Sequence, residues 1–457
     1  MRKNNTIGLI LISIIILTSC KNEASISFSE KPNYKEAIDK SDFLHQSMKQ
    51  LTDIIVHDIF SPPVASRVYV YPSIAAYEAL RHDHPNYQSF AGQLNGLKAI
   101  PQPNDNEEYA FTLAGVHAFL EVGKTLIFSE QTMKEFQANI YKEFRELGVP
   151  KAVYERSMAY GKTVADHILA YADKDNYKQT RTFPKFDINW KEEERWQPTP
   201  PDYMDGIEPH WRDIRPFVLD SAQQFTPPVP TKYDMAKSSQ FYKELMEVYE
   251  TGKNLDEEQT AIAKFWDCNP YATQHTGHAM TASKKITPGG HWVGITGITC
   301  KKTNADMMRT AESYAVVTIA LADGFISCWD EKYRSNLIRP ETLINKHIDQ
   351  NWKPLLQTPP FPEYTSGHSV ISSAAAIALT KLYGENFSFL DTSEEEYGLP
   401  ARSFPSFIKA SEEAAISRLY GGIHYMPAID NGVTQGRALG RYVIDNIKTA
   451  KEKIGQK

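Results

Sequence analysis

The sequence predicts an all-α protein built from packed helical bundles. Apolar residues recur at the 3.6-residue period along most of the chain, while period-two alternation is almost absent. Of the 457 residues 41% are hydrophobic, ample for a large core. At about 150 residues per domain the length allows three domains. The reading favoured here is one all-α domain over residues 41–457, made of two bundle-like halves. No fixed-period repeat is visible. With 50 Lys+Arg against 56 Asp+Glu, the net charge of −6 excludes a global basic field, so nucleic acid is not an expected partner. Any anion must be caught by a local cluster.

The first twenty residues stand apart from the fold. Arg2 and Lys3 precede an apolar run at 7–17 that is too short to span a bilayer comfortably, and Leu17-Thr18-Ser19-Cys20 follows. This resembles a bacterial lipoprotein signal in which Cys20 is lipidated. An ordinary secretory signal with a chance Cys is the blander alternative. Residues 21–40 read as a polar tether, and Lys21 fits outer-membrane sorting. The expected location is therefore the cell envelope, with membrane contact only through the lipid anchor.

Residues 41–60 open with Ser41 as N-cap and carry apolar Phe43, Leu44, Met48, Leu51, Ile54 and Ile55 before Pro62-Pro63 stops the pattern. Helical stretches follow at about 64–81, 106–128, 130–147 and 151–173. Residues 177–233 hold nine prolines and the runs FPKFDINW and RWQPTPPDY, which predict a long irregular excursion on the surface or along a cavity. Helical periodicity resumes at about 234–250, 255–267, 305–337, 367–383, 405–419 and 432–452. Cys268, Cys300 and Cys328 are three with no CxxC spacing, which argues against a disulfide framework and a zinc site and for small buried residues.

Three C-terminal segments carry the residue types for chemistry. Lys332 and Arg339 are seven apart at the end of the predicted helix 305–337, so both can project from one face before Pro340 ends it. A solvated surface face is the alternative. Ser366-Gly367-His368 opens an apolar helix and offers a hydroxyl, free amides and an imidazole, although Ser366 can equally be a simple N-cap. Ser417-Arg418 through Gly421-Gly422 to His424 brings an Arg and a His to one turn, which can also be structural. Together, two Arg, one Lys, a hydroxyl and a Gly amide can cage a tetrahedral oxyanion, with His424 able to bond its central atom and His368 able to move protons.

The order Lys-x6-Arg-Pro, Ser-Gly-His, Arg-x5-His resembles the signature shared by vanadium-dependent haloperoxidases and the type 2 phosphatidic-acid phosphatases. The resemblance implies vanadate as cofactor, its oxygens held by Lys332, Arg339, Ser366, Gly367 and Arg418. It implies His424 as the vanadium ligand, and His368 with Lys332 as the catalytic pair. The family often has an Asp soon after the ligand His. Here the nearest, Asp430, is six residues on, so the group that orients His424 stays open.

The same cage suits a phosphatase with His424 as phosphoryl acceptor, or a non-catalytic anion-binding surface lipoprotein. Trp329 and Phe361 resemble halide-pocket walls and favour the peroxidase. Asp267-Cys268-Asn269-Pro270-Tyr271, the run with His275 and His278, and Pro288-Gly289-Gly290-His291-Trp292 resemble the bacterial iodoperoxidases of marine flavobacteria. That resemblance places Tyr271 by the vanadate. Tyr271 can equally be core, His291 and Trp292 can simply pack a turn, and His275 and His278 read as hydrogen-bonding rather than metal-binding. The expected partners are hydrogen peroxide, halide with iodide preferred, and organic acceptors, acted on by a monomer.

Overall fold

The computed structural model describes residues 28–450 except Gly277, His278 and Ser283, with no side chain within 274–283. The signal, Cys20 and the side chains of His275 and His278 lie outside the described residues. In chain order the first elements are α1 (Tyr34–Ile38), α2 (Asp42–His57), α3 (Pro62–Leu80), α4 (Phe111–Leu126), α5 (Glu130–Glu146) and α6 (Lys151–Ala172). The polar-tether reading stops short of residue 40. Tyr34 and Ile38 are buried, Phe28 packs edge-on against Tyr154, and the Lys31 amide donates to the Gly148 carbonyl.

Pro62 and Pro63 end one helical pattern and begin the next. Neither has an amide to lose at N1 and N2, and the Ser61 hydroxyl accepts from the Val64 amide at 3.4 Å. Helix α3 is buried at every position between α4, α6 and α11. Its tyrosines survive there because each hydroxyl donates to a partner: Tyr69 to Thr52, Tyr71 to Asp175 and Tyr77 to the Gln88 carbonyl.

After α7 (Tyr177–Thr180) the chain makes the expected irregular excursion, anchored by fully buried Trp196 and Trp211. Then come α8 (Gln240–Lys253), α9 (Glu257–Phe265), the hairpin β1 (Thr273–Thr276) with β2 (Ala279–Ala282), α10 (Pro288–Lys302) and α11 (Met307–Ser335). Helix α10 corrects the reading of 288–292 as a turn. Pro288 sits at N1, Thr287 accepts from the Gly290 amide at 3.1 Å, and a Cβ on Gly290 would come within 2.8 Å of the Tyr69 hydroxyl. Helix α11 is apolar and long enough to cross a membrane, yet its apolar window is wholly buried, the mark of a helix cored by protein on all sides.

The remainder is α12 (Pro340–His347), α13 (Gly367–Tyr383), the pair β3 (Phe389–Asp391) with β4 (Arg402–Phe404), α14 (Phe407–Tyr420) and α15 (Met426–Asn446). Helix α15 lies on α13 along Gly432, Gly436 and Gly440. An added Cβ there would meet Ser369 Cβ at 2.8 Å, the Val370 carbonyl at 2.2 Å and Ala374 at 3.0 Å. The two bundle halves, α2–α6 around α3 and α13–α15, share α11 as a common wall. One hydrophobic cluster runs through both, from Tyr34 to Ile447.

Candidate active site

The C-terminal end of α11, the N-terminus of α13, the end of α14 and the turn before α15 converge on one cavity. Among its lining residues are Tyr271, Trp329, Phe361, Gly367, His368, Arg418 and His424. Lys332, Arg339 and Ser366 are buried directly behind that wall. All ten predicted site residues are thus brought together, although their polypeptide segments are not arranged as expected.

The correction concerns Arg339. Helix α11 ends at Ser335 because Asn336 adopts a left-handed cap (φ 49°). The following strand-like residues pair with the excursion, Trp196 donating to the Asn336 carbonyl and Ile338 to the Glu194 carbonyl. Arg339 is therefore not on the Lys332 helix; it caps α12, which Pro340 starts rather than stops. Its Nε donates to the Phe361 carbonyl at 2.9 Å, and its Nη1 to the Ile423 carbonyl at 2.8 Å and to His424 Nε2 at 3.1 Å. Its Nη2, fully buried, has no partner.

His424 is held from the other side by Glu363, whose Oε1 accepts from Nδ1 at 2.7 Å and from the Tyr425 amide at 3.0 Å. This pairing puts the ring proton on Nδ1 and the lone pair on Nε2, the form that can ligate a metal. Burial, reinforced by Arg339, Lys332 and Arg418, holds the imidazole well below its ordinary pKa and hence neutral. Burial pushes Glu363 up to about 7, against the pull of Arg339 and Lys332. Sequence reasoning missed Glu363 because it sought a carboxylate after His424. The signal lay in the same FPEYTSGH motif, three residues before Ser366.

Lys332 Nζ donates to the carbonyls of Pro362 at 3.1 Å, Glu363 at 3.0 Å and Thr365 at 2.5 Å, which braces the loop entering α13. Burial lowers its pKa to about 8. Arg418 Nη2 donates to the Trp266 carbonyl at 2.7 Å and its Nε to Ser417 Oγ at 2.9 Å. Ser366 caps α13, accepting from the Ser369 amide at 3.3 Å. The Gly367 and His368 amides stand at N1 and N2, where no intrahelical acceptor exists. A Cβ on Gly367 would find Trp329 at 3.8 Å and Lys332 at 4.0 Å, so glycine leaves a cradle there. His368 Nε2 is buried without a partner, and burial with Arg418 depresses the imidazole well below its usual pKa.

Trp329 and Phe361 form the apolar wall, with ring centroids 5.0 Å apart. Trp329 Nε1 is fixed by the Ile207 carbonyl of the excursion at 3.1 Å. Tyr271 sits on a loop closed by Asn269 and Gln357, and burial pushes its hydroxyl well above the ordinary phenol pKa.

Buried Lys332, Arg339 and Arg418 thus converge on one cavity with an orphaned guanidinium N–H and two helix-terminal amides, a set that fits a bound oxyanion. Residues 312–453 match the family model of the second helical-bundle domain of vanadium chloroperoxidase. A solved structure of the first bacterial vanadium-dependent iodoperoxidase is 52% identical, with a TM-score of 0.87, covering 93% of this chain and all of that one. The chain belongs to the vanadium-dependent haloperoxidases. The holo-type bacterial vanadium-dependent chloroperoxidase shares the fold at 15% identity, TM-score 0.65, covering 92% of this chain and 98% of that one. Its apo-type counterpart gives 16% and 0.64, covering 84% and 94%. No curated relative matches the chain. For a haloperoxidase the fit is chemical as well as architectural: the Nε2 lone pair of His424, which accepts from Arg339, faces a cage of N–H donors suited to vanadate.

Proposed function

We propose that this haloperoxidase is an iodoperoxidase, oxidising iodide with hydrogen peroxide to hypohalous acid that halogenates organic acceptors. The observation that carries the reading is the 2.7 Å contact of His424 Nδ1 with Glu363, which leaves the ring lone pair on Nε2, beside Arg339 and turned to the cavity. In this reading vanadate is held at His424 Nε2, with its oxygens on Arg339, Arg418, Ser366 and the Gly367 amide and with the charge of Lys332, whose three N–H groups are on backbone carbonyls, close behind them. When bound, it supplies a Lewis acid that activates peroxide without changing oxidation state.

The protein's own residues do the rest. His368, neutral and with Nε2 unpartnered, accepts the proton that peroxide gives up. Lys332 orients the loop that presents Ser366 and Gly367, and its charge lies 5.0 Å from the Phe361 ring. Trp329, Phe361 and Tyr271 keep bulk water from the cavity. An apolar aromatic wall suits a large, weakly hydrated halide, and the 52% identical neighbour is an iodoperoxidase.

The test is one vanadate-titrated preparation assayed for iodide, bromide and chloride oxidation and for aryl phosphate hydrolysis. Iodide oxidation is expected. Phosphate hydrolysis without halide oxidation would make the chain a phosphatase, and binding without turnover would make it an anion trap. The reading extends to a chain lipidated at Cys20 and anchored at the cell envelope, supported by Leu17-Thr18-Ser19-Cys20 after the apolar run. Radiolabelled fatty acid should label the mature chain and not Cys20→Ala.

A further inference from the structure

Beneath the cavity floor lies a second cluster that halide oxidation does not use. Cys268, His291, Asp391 and Glu394 are all buried, and they come from the turn after α9, the first turn of α10, strand β3 and the loop after it. His291 Nδ1 lies 3.4 Å from Cys268 Sγ and 3.1 Å from Glu394 Oε1, and Sγ lies 4.0 Å from that oxygen. On the far side of the ring, Nε2 lies 2.8 Å from Asp391 Oδ2, and Asp391 Oδ1 accepts from the Ser393 amide and hydroxyl.

We propose that Cys268, His291 and Glu394 bind a zinc ion, with Asp391 as the outer carboxylate that orients His291. Zinc bonds of about 2.3 Å to sulfur and about 2.0 Å to nitrogen and oxygen, at tetrahedral angles, put three ligand atoms about 3.3–3.6 Å apart. The observed triangle of 3.1, 3.4 and 4.0 Å is close to that shape. Asp391 at Nε2 is the carboxylate–histidine–metal arrangement that leaves Nδ1 to the ion. A thiolate, an imidazole and one carboxylate select zinc over calcium or magnesium, which prefer all-oxygen sets.

Binding exchanges two protons, one from the Cys268 thiol and one from His291 Nδ1, for one doubly charged ion. The charge of the buried cluster is unchanged. Water or the second oxygen of Glu394 completes the fourth position. The ion would staple the Cys268–Tyr271 segment, a wall of the halide cavity, to α10 and to the β3 loop. It would also mask a sulfur that lines a cavity where an oxidant is made. Cys268, His291 and Glu394 are 23 and 103 residues apart along the chain, so short-range cysteine spacing carries no signal of their grouping.

The test uses the full chain without vanadate, equilibrated with zinc alone and passed through a desalting column, with metal counted per chain. One zinc per chain is expected. The cobalt-substituted protein should show a thiolate-to-cobalt charge-transfer band in the near ultraviolet, which needs no variant. Cys268→Ser should abolish that band and weaken zinc binding at least tenfold, and Asp391→Asn should weaken it roughly 10- to 100-fold. A wild-type protein that retains no zinc and gives no cobalt–thiolate band would overturn the proposal, leaving the cluster a hydrogen-bonded network. So would zinc retained undiminished in Cys268→Ser.

Discussion

At the scale of single residues, the chemistry of the site depends on which nitrogen of His424 carries the proton. Glu363 decides it, by accepting from Nδ1 at 2.7 Å inside a fully buried shell. Glu363→Gln keeps the shape and removes the anionic acceptor, so vanadate affinity should fall about 10- to 100-fold, measured by calorimetric titration. His424→Ala should abolish vanadate binding. His368→Ala should leave binding mostly intact while cutting kcat by about 10²- to 10⁴-fold, a split that steady-state kinetics with a vanadate titration reads directly. Equal loss of binding in both variants would show that His368 holds the anion rather than moving a proton. His368 was legible because Ser366-Gly367-His368 opens an apolar helix, and His424 because Arg418 and a Gly pair precede it in one short stretch. Glu363 was in plain view in the same motif, but its partner is 61 residues away, and only folding brings them together.

At the scale of elements, helix termini and close helix approaches place these side chains. Helix α13 presents Ser366, Gly367 and His368 because α15 crowds it along the Gly432, Gly436 and Gly440 seam. Gly436→Ala would drive a methyl into the Val370 carbonyl, so a loss of about 1–3 kcal/mol is expected as a lower Tm in calorimetry. Helix α2 is tied to α11 through His45 Nδ1 and the Tyr314 hydroxyl at 2.8 Å. Burial holds His45 down to about 4. Because the unfolded chain binds that proton near pH 6.5, the neutral His45 contributes stability above pH 6.5, and this is lost as pH falls toward 4. The loss is on the order of 3 kcal/mol, and His45→Asn should flatten that part of a Tm-against-pH series. Periodicity made most helices legible, but the ends drifted where caps decided them. Asn336 stopped α11 early, and the Pro288 and Pro340 starts of α10 and α12 were hidden because proline reads as a breaker before it reads as an N1 residue.

At the scale of the whole molecule, α11 is the shared wall of both bundle halves and carries Trp329 and Lys332 into the site. Because one apolar cluster runs from Tyr34 to Ile447, the two halves should unfold together. Calorimetry of the mature chain should show one cooperative transition with calorimetric and van't Hoff enthalpies equal, and two resolved transitions would show that the halves are separate folding units. The irregular excursion is part of this unit. Its Phe217, Val218 and Leu219 amides all donate to buried Asp323 of α11, and its Ile207 carbonyl holds both Trp329 and Tyr333.

The sequence by itself determined the helical class, the family and the ten residues gathered at the cavity. Apolar period, Gly and Pro punctuation and short motifs are local properties, and each is readable within a few dozen residues. Only the tertiary structure decided that Glu363 orients His424, that Arg339 stands on a cap instead of on the Lys332 helix, and that Cys268, His291 and Glu394 share one buried point. Those are relations between segments far apart along the chain, set by burial of charge and by where helices stop, and local pattern carries no record of them.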